Sequence, residues 1–240
     1  MIFPEWPAAA CVKAVTTTRH AGVSKAPYDS LNLAEHVGDA ADAVRQNRLS
    51  ILHQLNLPGR PAWLNQVHGD LVVDAANSGE RPSADASFTD QTHVVCAVLT
   101  ADCLPVLFCN RNGTRVAAAH AGWRGLAGGV LESTVRALDT APGQLMAWFG
   151  PAIGPGAFEV GGEVRQVFVE QHAEAAGAFL ARPHGHWLAD LYQLARIRLQ
   201  ASGVTALYGG SFCTFADRQR FYSYRRDGVT GRMASLIWLV

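Results

Sequence analysis

The chain has no excess of either charge: 20 Lys and Arg offset 20 Asp and Glu, for a formal net charge of zero. The global field that draws a protein to nucleic acid or an anionic membrane is therefore missing, and a small-molecule partner is expected instead. No apolar run reaches the roughly 18 residues that cross a bilayer, and residues 1–7 lack the basic and apolar regions of an export signal. The five cysteines, Cys11, Cys96, Cys103, Cys109 and Cys213, are odd in number and form no CxxC pair. A disulfide scaffold is thus not expected, and a cytoplasmic location is. No Pro/Ser/Gly-rich linker, charge run or internal repeat divides the 240 residues. One domain over residues 1–240 follows, long enough to bury a sizeable core.

What is present is a mixture of short β-rich runs and helical patterns. Strands are predicted over residues 13–18, 62–67, 71–74, 93–99, 106–109, 114–119, 144–149, 204–209 and 233–240. The dipeptide Asn112-Gly113 between two of these runs is a strong hairpin signal. Apolar residues at helical spacing predict helices over 39–55, 126–138, 162–179 and 187–202. Hairpin-joined strands mixed with about four helices predict a layered α/β (α+β) domain with mixed sheets flanked by helices, not a regular parallel array.

Three residues stand where such runs end. His68 follows Trp63-Leu64-Asn65-Gln66-Val67 and precedes Gly69; Cys103 lies in Thr100-Ala101-Asp102-Cys103-Leu104-Pro105; His120 ends Val116-Ala117-Ala118-Ala119 before Ala121-Gly122-Trp123-Arg124-Gly125. Two imidazoles and a thiolate suit zinc, and three protein ligands leave a fourth tetrahedral position for water, whose pKa the metal lowers from roughly 15.7 toward 7. Copper accepts the same donors. The same residues also suit a nucleophile with a base. Asp102 is the candidate to orient a ligand or move a proton.

These segments resemble the three signature motifs of the YfiH family, formerly described as polyphenol oxidase or laccase-domain proteins. Supporting blocks are Thr17-Thr18-Arg19, Ser30-Leu31-Asn32-Leu33, His36-Val37-Gly38-Asp39, the run from Gly150 to Pro155 and the run from Phe221 to Asp227, so that the likeness covers almost the whole chain. The resemblance implies a layered sandwich shared in outline with a cysteine-hydrolase-like toxin domain. It further implies a zinc-binding purine nucleoside enzyme that phosphorolyses adenosine, inosine, guanosine and methylthioadenosine and deaminates adenosine. Its ligand set falls on His68, Cys103 and His120.

For that chemistry Arg19, Arg225 and Arg226 are candidates to bind phosphate, since a planar guanidinium makes paired bonds to its oxygens. Asn32 and Gln66 are candidates for base or ribose, and Tyr222 for stacking on the base. An amidase removing a wrong amino acid, L-Ser, from a UDP-MurNAc precursor, with Cys103 as nucleophile, is the second expectation. A copper-dependent polyphenol oxidase and a non-enzymatic zinc module, with His20, His36 or Cys109 as a fourth ligand, are weaker ones. A multicopper site needs several His-x-His pairs, and the chain has one, His184-Gly185-His186. A monomer or weak homodimer is expected.

Overall fold

The runs Val95–Thr100, Leu104–Asn110 and Val116–Ala121 are buried at every residue, as strands are when both faces of their sheet are covered. The computed structural model describes residues 1–240. In chain order the strands are β1 (Val12–Thr16), β2 (Pro61–Ala62), β3 (Val72–Asp74), β4 (Ala86–Thr89), β5 (Val95–Thr100), β6 (Leu104–Asn110), β7 (Val116–Ala121), β8 (Leu145–Phe149), β9 (Glu159–Val160), β10 (Phe179–Ala181), β11 (Trp187–Ala189), β12 (Ala206–Gly209) and β13 (Met233–Leu239). The helices are α1 (Ala41–Gln54), α2 (Trp123–Gly128), α3 (Val130–Ala137), α4 (Gly162–Gln171), α5 (Leu191–Ala201) and α6 (Tyr224–Asp227).

Six strands form one sheet in the order β12-β8-β6-β7-β4-β3, four form a second in the order β1-β13-β5-β2, and β10-β11-β9 form a small third. Parallel and antiparallel pairs coexist in both main sheets, so the expected mixed, layered α/β architecture is present. Alternation along each strand sorts side chains between layers. Leu107 and Cys109 of β6 point toward Cys96, Val98 and Ile237 of the smaller sheet. Val106 and Phe108 point the other way, into a core shared with Leu126, Leu131, Leu191 and Leu194. The outer face of the four-stranded sheet, with Ala97, Leu99 and Leu236, packs on Leu31, Leu33 and Ile51. The order is therefore helix, sheet, sheet, helices. Burying a side chain such as Phe108 in this stack contributes roughly 1.5–3 kcal/mol.

The hairpin predicted at Asn112-Gly113 joins β6 to β7. Gly113 has φ 65°, and a Cβ there would meet the Cys11 Sγ at 2.5 Å, so glycine is required twice over. Other elements differ from expectation for local reasons. The helix predicted over 126–138 is two helices, because Gly129 at φ 101° breaks the run between α2 and α3. The helix predicted over 162–179 ends at Gln171 and passes through a 3-10 turn into β10. The one predicted over 187–202 begins only after β11, where Asp190 caps α5 by accepting from the Gln193 amide. The strand predicted over 62–67 shortens to β2 and a single bridge between Asn65 and Ser83. Strand β4, only four residues long, was not predicted, although it pairs along its length with β7.

Candidate metal centre

Three chain reversals meet at one end of the two sheets. β5 runs into Ala101-Asp102-Cys103 before β6 begins, β7 runs into Gly122 before α2, and the segment from Asn65 to Gly69 crosses beside them. The donor atoms of His68, Cys103 and His120 all lie within 4.8 Å of one another. Cys103 Sγ is 3.9 Å from His68 Nε2, and the two imidazoles meet edge-on with ring centroids 4.8 Å apart. His120 is buried, Cys103 half-buried and His68 exposed, so the cluster opens to solvent on the His68 side. Two of the reversals use left-handed backbone at non-glycine residues, φ 61° at His68 and φ 93° at Asp102. Such residues are uncommon and collect at functional sites. Gly122 permits the approach: a Cβ there would stand 2.9 Å from Cys103 Sγ and 3.0 Å from His68 Cδ2.

The residue that assembles the cluster is Asp85, fully buried just before β4. Its Oδ1 takes a hydrogen bond from the His68 amide at 2.9 Å and lies 2.7 Å from His120 Nδ1. Its Oδ2 accepts from the amides of Val67 at 3.1 Å and Gly69 at 2.7 Å. Its carbonyl accepts from the His120 amide. One carboxylate thus fixes the turn that carries the first imidazole and the tautomer of the second, leaving His120 Nε2 free as a donor. Sequence reasoning missed Asp85; the available signal was a lone acid between Ala84 and Ala86 in a small-residue stretch.

The electrostatics follow from these contacts. Burial alone would raise the Cys103 thiol, but the charge of His120 and hydrogen bonds to both imidazoles outweigh it and bring the group down to about 6. Burial disfavours the charged His120 ring, yet Cys103 and Asp85 reverse that and raise it. Burial would likewise raise Asp85, and the His120 contact and the loop amides hold it below the ordinary carboxylate value. Cys96 and Cys109, buried in the core without such partners, are pushed up to about 12. The thiolate, the Nδ1-anchored imidazole and the close spacing fit a soft-to-borderline metal ion with two nitrogens and one sulfur. His20, His36 and Cys109 are not in the donor group, and Cys109 lies in the inter-sheet core.

The other expected site residues are placed differently. Asp102 does not touch either imidazole: its Oδ1 accepts from Thr214 Oγ1 and its Oδ2 from the Arg225 amide, each at 2.6 Å. It ties two loops beneath Cys103, and the carboxylate that meets an imidazole is Asp85. Arg19 is bonded to Asp29 and the Arg218 carbonyl and lines a separate cavity of about 550 Å³ that contains none of the three donors. Arg226 binds the carbonyls of Thr214, Phe215 and Phe221 and pairs with Asp227; a guanidinium so engaged has no fork to offer a phosphate. Arg225 reaches outward to the Glu159 carbonyl.

Asn32 is fully buried. It donates to the Ala34 carbonyl and Asp39, and its Oδ1 accepts from the amides of Ala34 and Arg232, so both of its amide hydrogens are used within the protein. Gln66 clamps the backbone of Leu99 from both sides. Tyr222 is buried with its hydroxyl on the Tyr28 carbonyl, which removes it as a stacking platform. His186, from the one His-x-His pair, faces Glu159 on the surface.

The family profile described as multi-copper polyphenol oxidoreductase laccase matches residues 13–240. The sequence is 60% identical to the purine nucleoside phosphorylase PA4543 of Pseudomonas aeruginosa, over 98% of this chain and 97% of that protein. It is 54% identical to the purine nucleoside phosphorylase YfiH of Escherichia coli, over 100% and 99% respectively. Among solved structures, protein NMB0706 of Neisseria meningitidis superposes with a TM-score of 0.96 at 56% identity, covering 99% of this chain and 98% of that one. YlmD from Geobacillus stearothermophilus does so with 0.91 at 33% identity, covering 96% and 92%. The multi-copper wording of the profile contrasts with the donors present, which form a single group of three.

Proposed function

The chain belongs to the YfiH family, and from that premise we propose that it is a zinc-dependent purine nucleoside enzyme, cleaving purine nucleosides with phosphate and deaminating adenosine. The observation that carries the reading is the convergence of His68, Cys103 and His120 around Asp85, in a chain whose relatives are named purine nucleoside phosphorylases. His68, Cys103 and His120 would hold the zinc ion, which when bound would supply Lewis acidity and lower the pKa of water toward neutrality. The protein's own part is preorganisation. Asp85 holds the His120 ring so that Nε2 faces the donor cluster, Gly122 leaves room for the thiolate, and the exposed side of His68 leaves the centre open to a substrate. Copper binds the same donors, so metal found after purification does not identify the working ion.

A second reading rests on one further feature: Cys103, His120 and Asp85 stand in the order of a nucleophile, a base and the carboxylate that orients it. In that reading the lowered thiol is the nucleophile of an amidase acting on a UDP-linked muropeptide carrying L-Ser. One experiment separates the two. Zinc-loaded protein is given adenosine with and without phosphate, the products are resolved by chromatography, and the assay is repeated after chelation. Inosine formed without phosphate, free base only with phosphate, and loss of both on chelation with recovery on added zinc are expected. Unchanged adenosine, with turnover of the muropeptide by metal-free protein and an adduct on Cys103, would establish the amidase.

A further inference from the structure

With Arg19 and Arg226 engaged by carbonyls and carboxylates, and Arg225 exposed, stacked on Phe158 and bonded to the Glu159 carbonyl, the half-buried cations nearer the centre are the ones to compare. Arg48 and Arg81 share Glu35 and are likewise committed. Arg232 is different. It is half-buried, and its only side-chain hydrogen bonds run from Nη1 to the carbonyls of Thr230 and Gly231. Nε and Nη2 keep their hydrogens without a protein acceptor, and no carboxylate pairs with the group. A guanidinium anchored at one nitrogen and open at the other two presents a ready fork for an oxyanion.

Its position is set by the fold. β13 pairs with β5 in the register Met233 to Thr100, so Arg232 stands at the level of Ala101, where the chain turns toward Cys103. Gly231 threads between Tyr222 and Asn32, where a Cβ would meet Tyr222 Cζ at 2.7 Å and Asn32 Cβ at 2.9 Å. The Arg232 amide is held by Asn32 Oδ1 at 3.0 Å. Asn32, Gly231 and Tyr222 therefore act together to seat one arginine. Burial weakens its charged form, while the charges of Cys103 and Asp102 support it, which places the guanidinium in the field of the metal centre. Neither Nε nor Nη2 is a fully buried, unpartnered atom, so both stay accessible to a ligand arriving from solvent.

We infer that Arg232 is the oxyanion-binding residue of the His68/Cys103/His120 site, taking inorganic phosphate or the phosphate group of a substrate against its free Nε and Nη2 edge. The inference rests on the nucleoside phosphorylase reading for its biological ligand, but the anion site itself can be tested without it. The probe is inorganic phosphate, titrated into zinc-loaded and metal-free protein and followed by phosphorus NMR and calorimetry, for the wild type, Arg232→Gln and Arg232→Lys. Wild-type protein should saturate, Arg232→Gln should bind at least tenfold more weakly, and Arg232→Lys should fall between, since it keeps the charge and loses the fork. In turnover, KM for phosphate should rise at least tenfold in Arg232→Gln, with KM for adenosine in deamination changed less than threefold and zinc content unaltered.

Phosphate binding by Arg232→Gln within twofold of wild type, or no binding by either protein, would overturn the inference. Wild-type protein that binds phosphate through Arg232 yet never phosphorolyses a nucleoside would uphold the anion site and remove the phosphorylase reading. Should the glutamine variant misfold by circular dichroism, the lysine variant carries the same comparison.

Discussion

The segment from Gln66 to Gly69 and the segment from Thr214 to Asp227, which ends in the single-turn helix α6, both lie at the edge of the sheets, and both carry polar side chains. In the second, those groups are consumed: Arg226 binds three carbonyls and a carboxylate, and Asp102 is tied to Thr214 and the Arg225 amide. In the first, the backbone is consumed and a side chain is released. Asp85 takes the amides of Val67, His68 and Gly69, and the His68 ring is left exposed beside a thiol and a second imidazole. Residue type is the same kind of evidence in both places. What separates a site from a clasp is hydrogen-bonding capacity left unspent, and that is a property of the fold.

The largest break in this comparison comes from His120→Ala. Removing one of three donors should abolish stoichiometric zinc binding, measured by metal analysis after dialysis, with circular dichroism checking that the fold survives the loss of the buried ring beside Asp85. The variant has a second signature in metal-free protein. The His120 charge is the main influence lowering the Cys103 thiol, which lies near 6. A thiol lowered in this way is ionised above that value, so alkylation of Cys103 should stay fast from pH 9 down to pH 7 and slow as pH falls through about 6. In His120→Ala the same decline should begin at higher pH, toward the roughly 8.5 of an ordinary cysteine. Zinc retained at one per chain, or an unshifted alkylation profile, would remove His120 from the centre.

Asp85→Asn should act next most strongly. The amide side chain keeps the shape but carries hydrogens where the carboxylate accepted them, and the ring it oriented loses its anionic partner. Loss of such a partner typically costs about 10–100-fold in metal affinity, readable in a competition titration against a chromophoric chelator. The buried loop amides would also lose part of their acceptor, so a lower Tm should accompany the weaker binding. If affinity is unchanged while Tm falls, Asp85 supports the turn and not the donors.

These two variants also mark what the sequence made legible. The three donors could be picked because each ends an apolar run next to glycine or a polar loop, a local pattern. The strands of the central hairpin were legible for the same reason, through continuous apolar runs and Asn112-Gly113. Asp85 was not legible, because its importance lies in four partners distant in sequence, and β4 after it is too short to show a strand period. Arg19, Arg226, Asn32 and Tyr222 resemble ligand contacts until their partners are known. Whether an arginine binds a phosphate or backbone carbonyls is decided by where neighbouring loops fall, 5 to 12 residues away for Arg226, and no spacing rule reports that. Arg232 directly precedes the predicted strand over 233–240, and nothing local marks its unspent donors.

The smallest functional effect is expected from Arg226→Gln, the other pole of the comparison. Its guanidinium is 8% exposed and closes the loop that carries Thr214, which in turn holds Asp102. Replacing it leaves the carbonyls of Thr214, Phe215 and Phe221 with one shorter, uncharged partner, a loss of about 1–3 kcal/mol for charged hydrogen bonds of this kind. At roughly 2–4 °C per kcal/mol for a chain of this size, Tm should fall by several degrees. Zinc stoichiometry should be unchanged, and KM for phosphate should move less than twofold, because no free donor of this arginine faces the centre. A variant of undiminished Tm with a KM for phosphate raised tenfold would reverse the assignment: Arg226 would then be a ligand-binding group, and spent hydrogen bonds in the resting fold would no longer separate clasps from sites.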